Sequence, residues 1–326
     1  MSSTSKEEEE QPDVPAGIFF RGTHYVLEKP TRTFNRTSTS NDTEPLVVCV
    51  HGIGGYYRQF DHQASALTEA GFSVLRYDLF GRGYSEPPAN NILSDGSSAY
   101  TNANHVAQLR ELIQHIKMKV QKYHIIAHSM GGAIAALYCH MYGEEVLSLT
   151  LFSPAGLMNI GPLSIIRSCS CLHGLVRSML RSGGANGSVY KQDFYNRGSE
   201  LCLEQSAALV ALNQQRAHIF ESFWQSVLHF PLSGNEAMVT ELSTLHPHIS
   251  TYLMWAKQDN AVPLSPSLKR WLACYAGRSI NPVQSKVYDK ACHGFFIEYA
   301  DEVNSELIPY LQQIQETYEL TSTGTA

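Results

Sequence analysis

Ser129 stands in Tyr123-His-Ile-Ile-Ala-His-Ser129-Met-Gly131-Gly132, where an apolar run gives way to a serine and then to small residues. A strand that turns sharply into a helix at a serine presents the hydroxyl as a nucleophile. Such a turn strains the serine backbone and needs little side-chain bulk two residues before and two after it, where strand and helix approach. Ala127 and Gly131 meet that need. Ala127 departs from the glycine of a strict G-x-S-x-G pattern, but a methyl group is tolerable there. A serine hydroxyl is a weak nucleophile at neutral pH, so the same chemistry requires a base for its proton and an acid to orient that base. Fourteen histidines are available. Of these, His128 is adjacent to Ser129 and so points its ring away from the hydroxyl. The competing reading of Ser129 is a plain helix cap, which serines after strands commonly are.

The surrounding elements fit the turn. Short apolar runs at Leu46 to Val50, Phe72 to Tyr77, Tyr123 to Ala127, Val146 to Phe152, Ile249 to Trp255 and Val283 to Tyr288 read as buried strands. Between them, Phe60 to Ala70, Asn104 to Val120 and Met130 to Tyr142 carry helical patterns. A terminal helix follows through Val303, Leu307, Leu311 and Ile314, kinked at Pro309. This alternation predicts an α/β fold with a mostly parallel sheet covered by helices on both sides. The alternation stops after Gly156, and about 90 residues pass before the next strand-like run, too many for a plain loop. Their periodicity is helical, so residues 157–246 are expected to form an inserted helical cap, leaving 17–156 and 247–320 as the core. Residues 1–16 are acidic and polar and read as a disordered tail.

Composition removes several function classes. The 326 residues are 43% hydrophobic and 17% charged, with mean hydropathy −0.19, which suits a soluble globule and excludes wholesale disorder. Net charge is −6 and the pI about 6.1, giving no electrostatic footprint for nucleic acid. The seven cysteines are an odd set without repeated metal spacing. No dinucleotide-binding glycine motif on a first βα turn, P-loop or H-E-x-x-H is present, so neither a cofactor nor a metal is expected. The N-terminus shows no signal-peptide pattern, and no stretch approaches a membrane span, so the expected location is cytoplasmic. One segment, Leu163 to Arg181, mixes apolar residues with Arg167, Arg177 and Arg181; it reads either as an amphipathic helix over a pocket or as a lid in peripheral contact with a membrane surface.

Four segments in order make the chain resemble the α/β-hydrolase family over Gly17 to about Leu320. Leu46-Val-Val-Cys-Val50-His51-Gly52-Ile53-Gly54-Gly55 is similar to the strand and H-G-x loop that supplies one oxyanion amide in that family. Arg76-Tyr-Asp78-Leu-Phe-Gly81-Arg-Gly83-Tyr-Ser85 resembles its D-x-x-G-x-G-x-S loop. Tyr252-Leu-Met-Trp-Ala-Lys-Gln-Asp259-Asn-Ala-Val-Pro263 looks like the strand end bearing the acid, with Ala256 where many members have Gly. Ala291-Cys-His293-Gly-Phe-Phe resembles the loop bearing the catalytic histidine. The order Ser, Asp, His matches this fold.

The resemblance implies that Ser129 attacks, His293 takes and returns the proton, and Asp259 fixes the histidine tautomer. The backbone amides of Ile53 and Met130 form the expected oxyanion hole. His51 and Gly52 structure that loop, and Ala127 and Gly131 permit the tight turn. Asp78 is the nearest alternative acid, although its glycine-rich loop suggests that it organises backbone. Relatives with an Asp nucleophile are excluded by Ser129. The leading expectation is a serine hydrolase of carboxylic esters with apolar acyl chains, similar to monoacylglycerol lipases and carboxylesterases, with a small-molecule ester or lipid as substrate. Phe220, Phe223, Trp224, Leu228 and Phe230 would line an acyl pocket or pack the cap onto the core. Two further readings stay open: a hydrolase of carbon–carbon bonds beside a ketone, and a ligand-binding receptor or scaffold on the same fold.

Overall fold

In a computed structural model of the chain, residues 17–32, 44–116 and 122–322 are described. The expected tail at 1–16 and the predicted last turn of the helix ending at Val120 lie outside them. Eight strands form one sheet: β1 (Ile18–Phe20), β2 (Thr23–Glu28), β3 (Leu46–Val50), β4 (Ser73–Tyr77), β5 (Tyr123–His128), β6 (Val146–Phe152), β7 (Ser250–Ala256) and β8 (Gln284–Tyr288). Their order across the sheet is β1-β2-β4-β3-β5-β6-β7-β8. From β4 to β8 every neighbouring pair is parallel, whereas β1 and β2 make an antiparallel edge on β4. The fold class read from alternation, a mostly parallel sheet between helices, is the one observed.

The helices are α1 (Asp61–Glu69), α2 (Asn102–Ile116), α3 (Met130–Tyr142), α4 (Gly161–Ser168), α5 (His173–Ala185), α6 (Ser188–Lys191), α7 (Glu200–Gln215), α8 (His218–His229), α9 (Glu236–Leu245), α10 (Leu264–Cys274), α11 (Phe295–Glu298) and α12 (Ala300–Ser322). Strands β3 to β6 are buried along their whole length, because helices close both faces and a parallel strand then has no face left for water. One face meets α2, α3, α9 and α10, with Val106, Leu109, Ile134, Leu242 and Trp271 in a single cluster with β-strand residues. The other meets α1 and α12 through Phe60, Leu67, Val303, Leu307 and Leu311. Helix α12 runs continuously through Pro309.

Helix α3 explains how a mid-sheet turn is possible. It is apolar nearly all round and rich in glycine and alanine, the composition of a fully buried helix lying close to its neighbours. A β-carbon at Gly131 would stand 2.2 Å from the Val50 carbonyl oxygen, so any side chain there would force β3 and the start of α3 apart. The chain runs from β3 outward to β4 and then crosses to β5 on the other side of β3. That reversal opens a crevice beyond the carboxyl ends of the strands, the usual ligand position in open α/β sheets.

Helices α4 to α9 fill the interval between β6 and β7. Helix α9 differs from the others, since its Val239 and Leu242 belong to the main core cluster and it lies against α3 and α10. The arginines of α4 and α5 contact α8 and its C-terminal end: Arg167 donates to the Val227 and Phe230 carbonyls at 2.8 and 2.6 Å, Arg177 pairs with Glu221, and Arg181 stacks over Phe220. No helix among the described residues is long and apolar enough to cross a membrane.

Candidate active site

Three strand ends bring the predicted residues to one edge of the sheet. Ser129 follows β5, Asp259 lies three residues past β7, and His293 lies on the loop after β8. All three are buried. Ser129 has φ 54° and ψ −120° and directly precedes α3, a backbone region costing an L-residue on the order of 1–3 kcal/mol. Its side chain makes no capping hydrogen bond to α3, which removes the helix-cap reading. The strained turn is held by backbone: Ser129 N donates to the Phe152 carbonyl at 3.0 Å, and the Ser129 carbonyl accepts from Gly132 and Ala155, both at 2.9 Å.

His293 Nδ1 is 2.7 Å from Asp259 Oδ2. The other Asp259 oxygen accepts from the Ala261 and Val262 amides at 2.9 and 2.7 Å, so the carboxylate is fixed by its own loop and leaves one oxygen for the imidazole. Since a carboxylate only accepts, Nδ1 carries the proton and Nε2 keeps its lone pair. Burial works against a charged His293, but the Asp259 charge and hydrogen bond, with a smaller contribution from Asp193, hold its pKa above the ordinary value. A buried base raised in this way is suited to accept a proton.

Asp78, the alternative acid, is occupied elsewhere. It accepts from the Tyr57 amide at 2.6 Å and the Tyr84 amide at 2.9 Å, and pairs with His24 at 2.8 Å. A β-carbon at Gly83, where φ is +50°, would collide with its carboxyl group at 2.3 Å. Asp78 is thus the hub of its loop.

The loop expected to supply the oxyanion amide is organised by two side chains, His51 and Gln59. His51 Nδ1 donates to the Gly52 carbonyl at 2.8 Å while Nε2 accepts from the Leu79 amide at 3.0 Å, a pattern only the neutral ring can make. Burial accordingly lowers its pKa to about 4. Gln59 accepts from the Gly52 amide at 3.1 Å. Gly52 lies against the nucleophile, for a β-carbon there would be 3.1 Å from Ser129 Cβ. The Met130 amide begins α3, where a helix has no internal acceptor and its dipole favours negative charge. Ile53 lies on the loop that Gly52 brings to the serine.

His128, the rival base, is neutral too. Burial first, and then the neighbouring His293, push its pKa far down. Its Nε2 donates to the His293 carbonyl at 3.1 Å and its ring lies 4.4 Å from that of His293. It therefore supports the base's backbone.

Two residues at this site carry no sequence motif of their own. Arg82, buried and without a carboxylate partner among the described residues, donates to the Ile53 carbonyl at 2.7 Å, the Ser222 carbonyl at 3.1 Å and Ser226 Oγ at 2.9 Å. It ties the oxyanion loop to α8. Replacing it with Met is expected to lower kcat about 10- to 100-fold with a smaller change in KM, because Ile53 loses its anchor while the substrate pockets stay lined. Steady-state kinetics with circular dichroism as a folding control checks this. Asp193, on the loop between α6 and α7, carries the other unpredicted carboxylate near His293.

Two pockets adjoin the site. The first is apolar, lined by Ile53, Gly54, Leu180, Val189, Ile219, Phe220 and Phe223 among others. The second is lined by Gly55, Tyr56, Gln59, Asp193, Phe194 and Gly294 among others. Of the five aromatic and aliphatic residues expected at an acyl pocket, Phe220 and Phe223 are in the first pocket, whereas Trp224 and Phe230 are buried and Phe230 joins the core.

Comparison with known proteins agrees with the fold. Residues 45–168 match the family described as α/β hydrolase fold. The chain is 26% identical over 303 residues to a 2-hydroxy-6-oxononadienedioate/2-hydroxy-6-oxononatrienedioate hydrolase of Pseudomonas putida, covering 88% of this chain and 98% of that protein. It is 34% identical over 118 residues to Lipase 1 of Psychrobacter immobilis, covering 36% of this chain and 34% of that one. The structure superposes on an esterase from Exiguobacterium antarcticum with TM-score 0.64 at 18% identity, covering 89% of this chain and 96% of the other. With the strand order, the turn at Ser129 and these likenesses together, the chain has the α/β-hydrolase fold.

Proposed function

We propose that this protein is a serine hydrolase of carboxylic esters with apolar acyl chains. Ser129 Oγ attacks the ester carbonyl as His293 Nε2 takes its proton. The tetrahedral oxyanion rests on the Ile53 and Met130 amides, each donor being worth about 3 kcal/mol of barrier. Collapse expels the alcohol, which receives the proton from His293, and water repeats the sequence on the acyl-Ser129 ester. Residues 157–246 act as the cap in this reading, with α5, α6 and α8 over the site.

The apolar pocket carries the substrate class. Its wall begins at Ile53 and Gly54, beside the oxyanion position, and continues through Leu180, Val189, Ile219, Phe220 and Phe223. An acyl chain entering it leaves water for apolar contact, worth about 0.8 kcal/mol for each CH₂ buried.

The Pseudomonas putida relative gives the second reading, carbon–carbon cleavage beside a ketone. The substrates in its name are dioates, and two carboxylates need cationic partners. Neither pocket has a lysine or arginine in its lining, and one contains Asp193. Charge therefore favours the ester. Hydrolysis of an ester series from short to long acyl chain, beside a 2-hydroxy-6-oxo-dienoate, separates them. We expect turnover to peak at one acyl length and to disappear in Ser129→Ala; dienoate cleavage without ester turnover would overturn the proposal.

A further inference from the structure

Asp193 is partly buried where the cap meets the catalytic loop. Its carbonyl accepts from the Gly294 amide at 2.7 Å, and the β-carbon that Gly294 lacks would stand 3.4 Å from Asp193 Cβ. The residue is thereby fixed against the position next to His293. Its carboxylate bears electrostatically on His293, Asp259, Tyr190 and Cys292. Among the described residues, no donor hydrogen-bonds to that carboxylate and no cation pairs with it. Burial, set against the His293 charge, pushes its pKa up to about 6.

A partly buried carboxylate with no donor from the protein keeps its lone pairs for a ligand. That of Asp193 lines a pocket with Gly55, Tyr56, Gln59, Phe194 and Gly294 in its wall. The pocket's position fits one part of the substrate. In ester hydrolysis His293 hands its proton to the departing alcohol, so the alcohol portion lies on the His293 side, where Gly294 and Asp193 stand. The acyl chain then takes the apolar pocket on the Ile53 side.

We propose that this second pocket is the leaving-group subsite and that Asp193 selects esters whose alcohol portion carries a hydrogen-bond donor, either a further hydroxyl or an ammonium group. This rests on the ester reading above. Asp193 acts by binding and positioning and takes no part in bond making.

The test compares three esters of one acyl chain, with ethanol, glycerol and dimethylethanolamine, whose protonated amine keeps one N–H, as alcohols, on wild type, Asp193→Ala and Asp193→Asn. We expect Asp193→Ala to lower kcat/KM about 10- to 100-fold more for a donor-bearing alcohol than for the ethyl ester, the difference lying mostly in KM. Circular dichroism is the folding control. Asn keeps an acceptor but no charge, so partial rescue identifies a hydroxyl as the natural donor and failure to rescue identifies an ammonium. Equal loss on all three esters with a displaced pH profile would mean that Asp193 only biases His293, and would overturn the subsite; so would no change on any of them. Organophosphonates with ethyl or dimethylaminoethyl leaving groups extend the comparison to covalent labelling of Ser129. Labelling without discrimination between them defeats the subsite alone, whereas no labelling at all defeats the serine-hydrolase reading and the subsite with it.

Discussion

Ser129→Ala is expected to lower kcat for the best ester about 10⁵- to 10⁶-fold and to leave the melting temperature nearly unchanged. A capping serine behaves in the opposite way: its loss costs about 1 kcal/mol of stability and spares chemistry performed elsewhere. The Ser129 side chain caps nothing, so its hydroxyl has no stabilising bond to lose. Ser129→Gly sharpens the distinction. At φ 54° and ψ −120° a residue with a β-carbon is strained and glycine is not, so the glycine variant is expected to be inactive and more stable by about 1 kcal/mol, the gain being tempered by glycine's greater unfolded-state entropy. Chemical denaturation of the two variants beside single-turnover kinetics reads both effects. A serine whose removal destabilises the fold and leaves turnover intact would sink the nucleophile assignment.

That opposition between stability and chemistry is also why the turn at Ser129 was legible in sequence. Strain needs special residues around it, and Gly131 is there because no β-carbon fits against the Val50 carbonyl. The strands were legible for a different reason. Leu46 to Val50 and Val146 to Phe152 match their observed bounds, because a strand buried on both faces must be apolar throughout and is bounded wherever polarity returns. The antiparallel β1–β2 edge was not read in detail, since Ile18 and Phe19 are exposed and give no clean alternation. Helix α9 lies in the stretch expected to form the cap, yet it packs on α3 and α10; an amphipathic stripe has the same period whichever surface covers it. Arg82 and Asp193 were illegible as site residues. Arg82 acts through carbonyls and a hydroxyl brought in from α8, some 140 residues away, and Asp193 reaches His293 across 100 residues of chain.

Asp259→Asn is expected to cost about 10⁴-fold in kcat and to move the acid limb of the kcat/KM profile to lower pH. The geometry gives both effects. An asparagine oxygen can keep the bonds from the Ala261 and Val262 amides, which turns its NH₂ group toward His293 Nδ1. That nitrogen must then accept, the proton moves to Nε2, and the base facing Ser129 has no lone pair to offer. The shift of the limb follows from charge. In the proposed mechanism His293 acts as a base only when neutral, and the Asp259 charge outweighs the burial penalty to hold its pKa above the ordinary value; wild-type activity is therefore expected only as pH rises past that elevated value. With the charge gone, burial dominates and the limb falls. Linkage gives an independent readout with a definite sign. A histidine whose folded pKa is raised contributes stability that is complete below the unfolded pKa and is lost as pH climbs through the folded one. The stability deficit of Asp259→Asn is accordingly larger at pH 5.5 than at pH 8.5, measured by urea unfolding. A deficit independent of pH, with an acid limb that stays in place, would mean that another carboxylate carries the role, and Asp193 would be the next to replace.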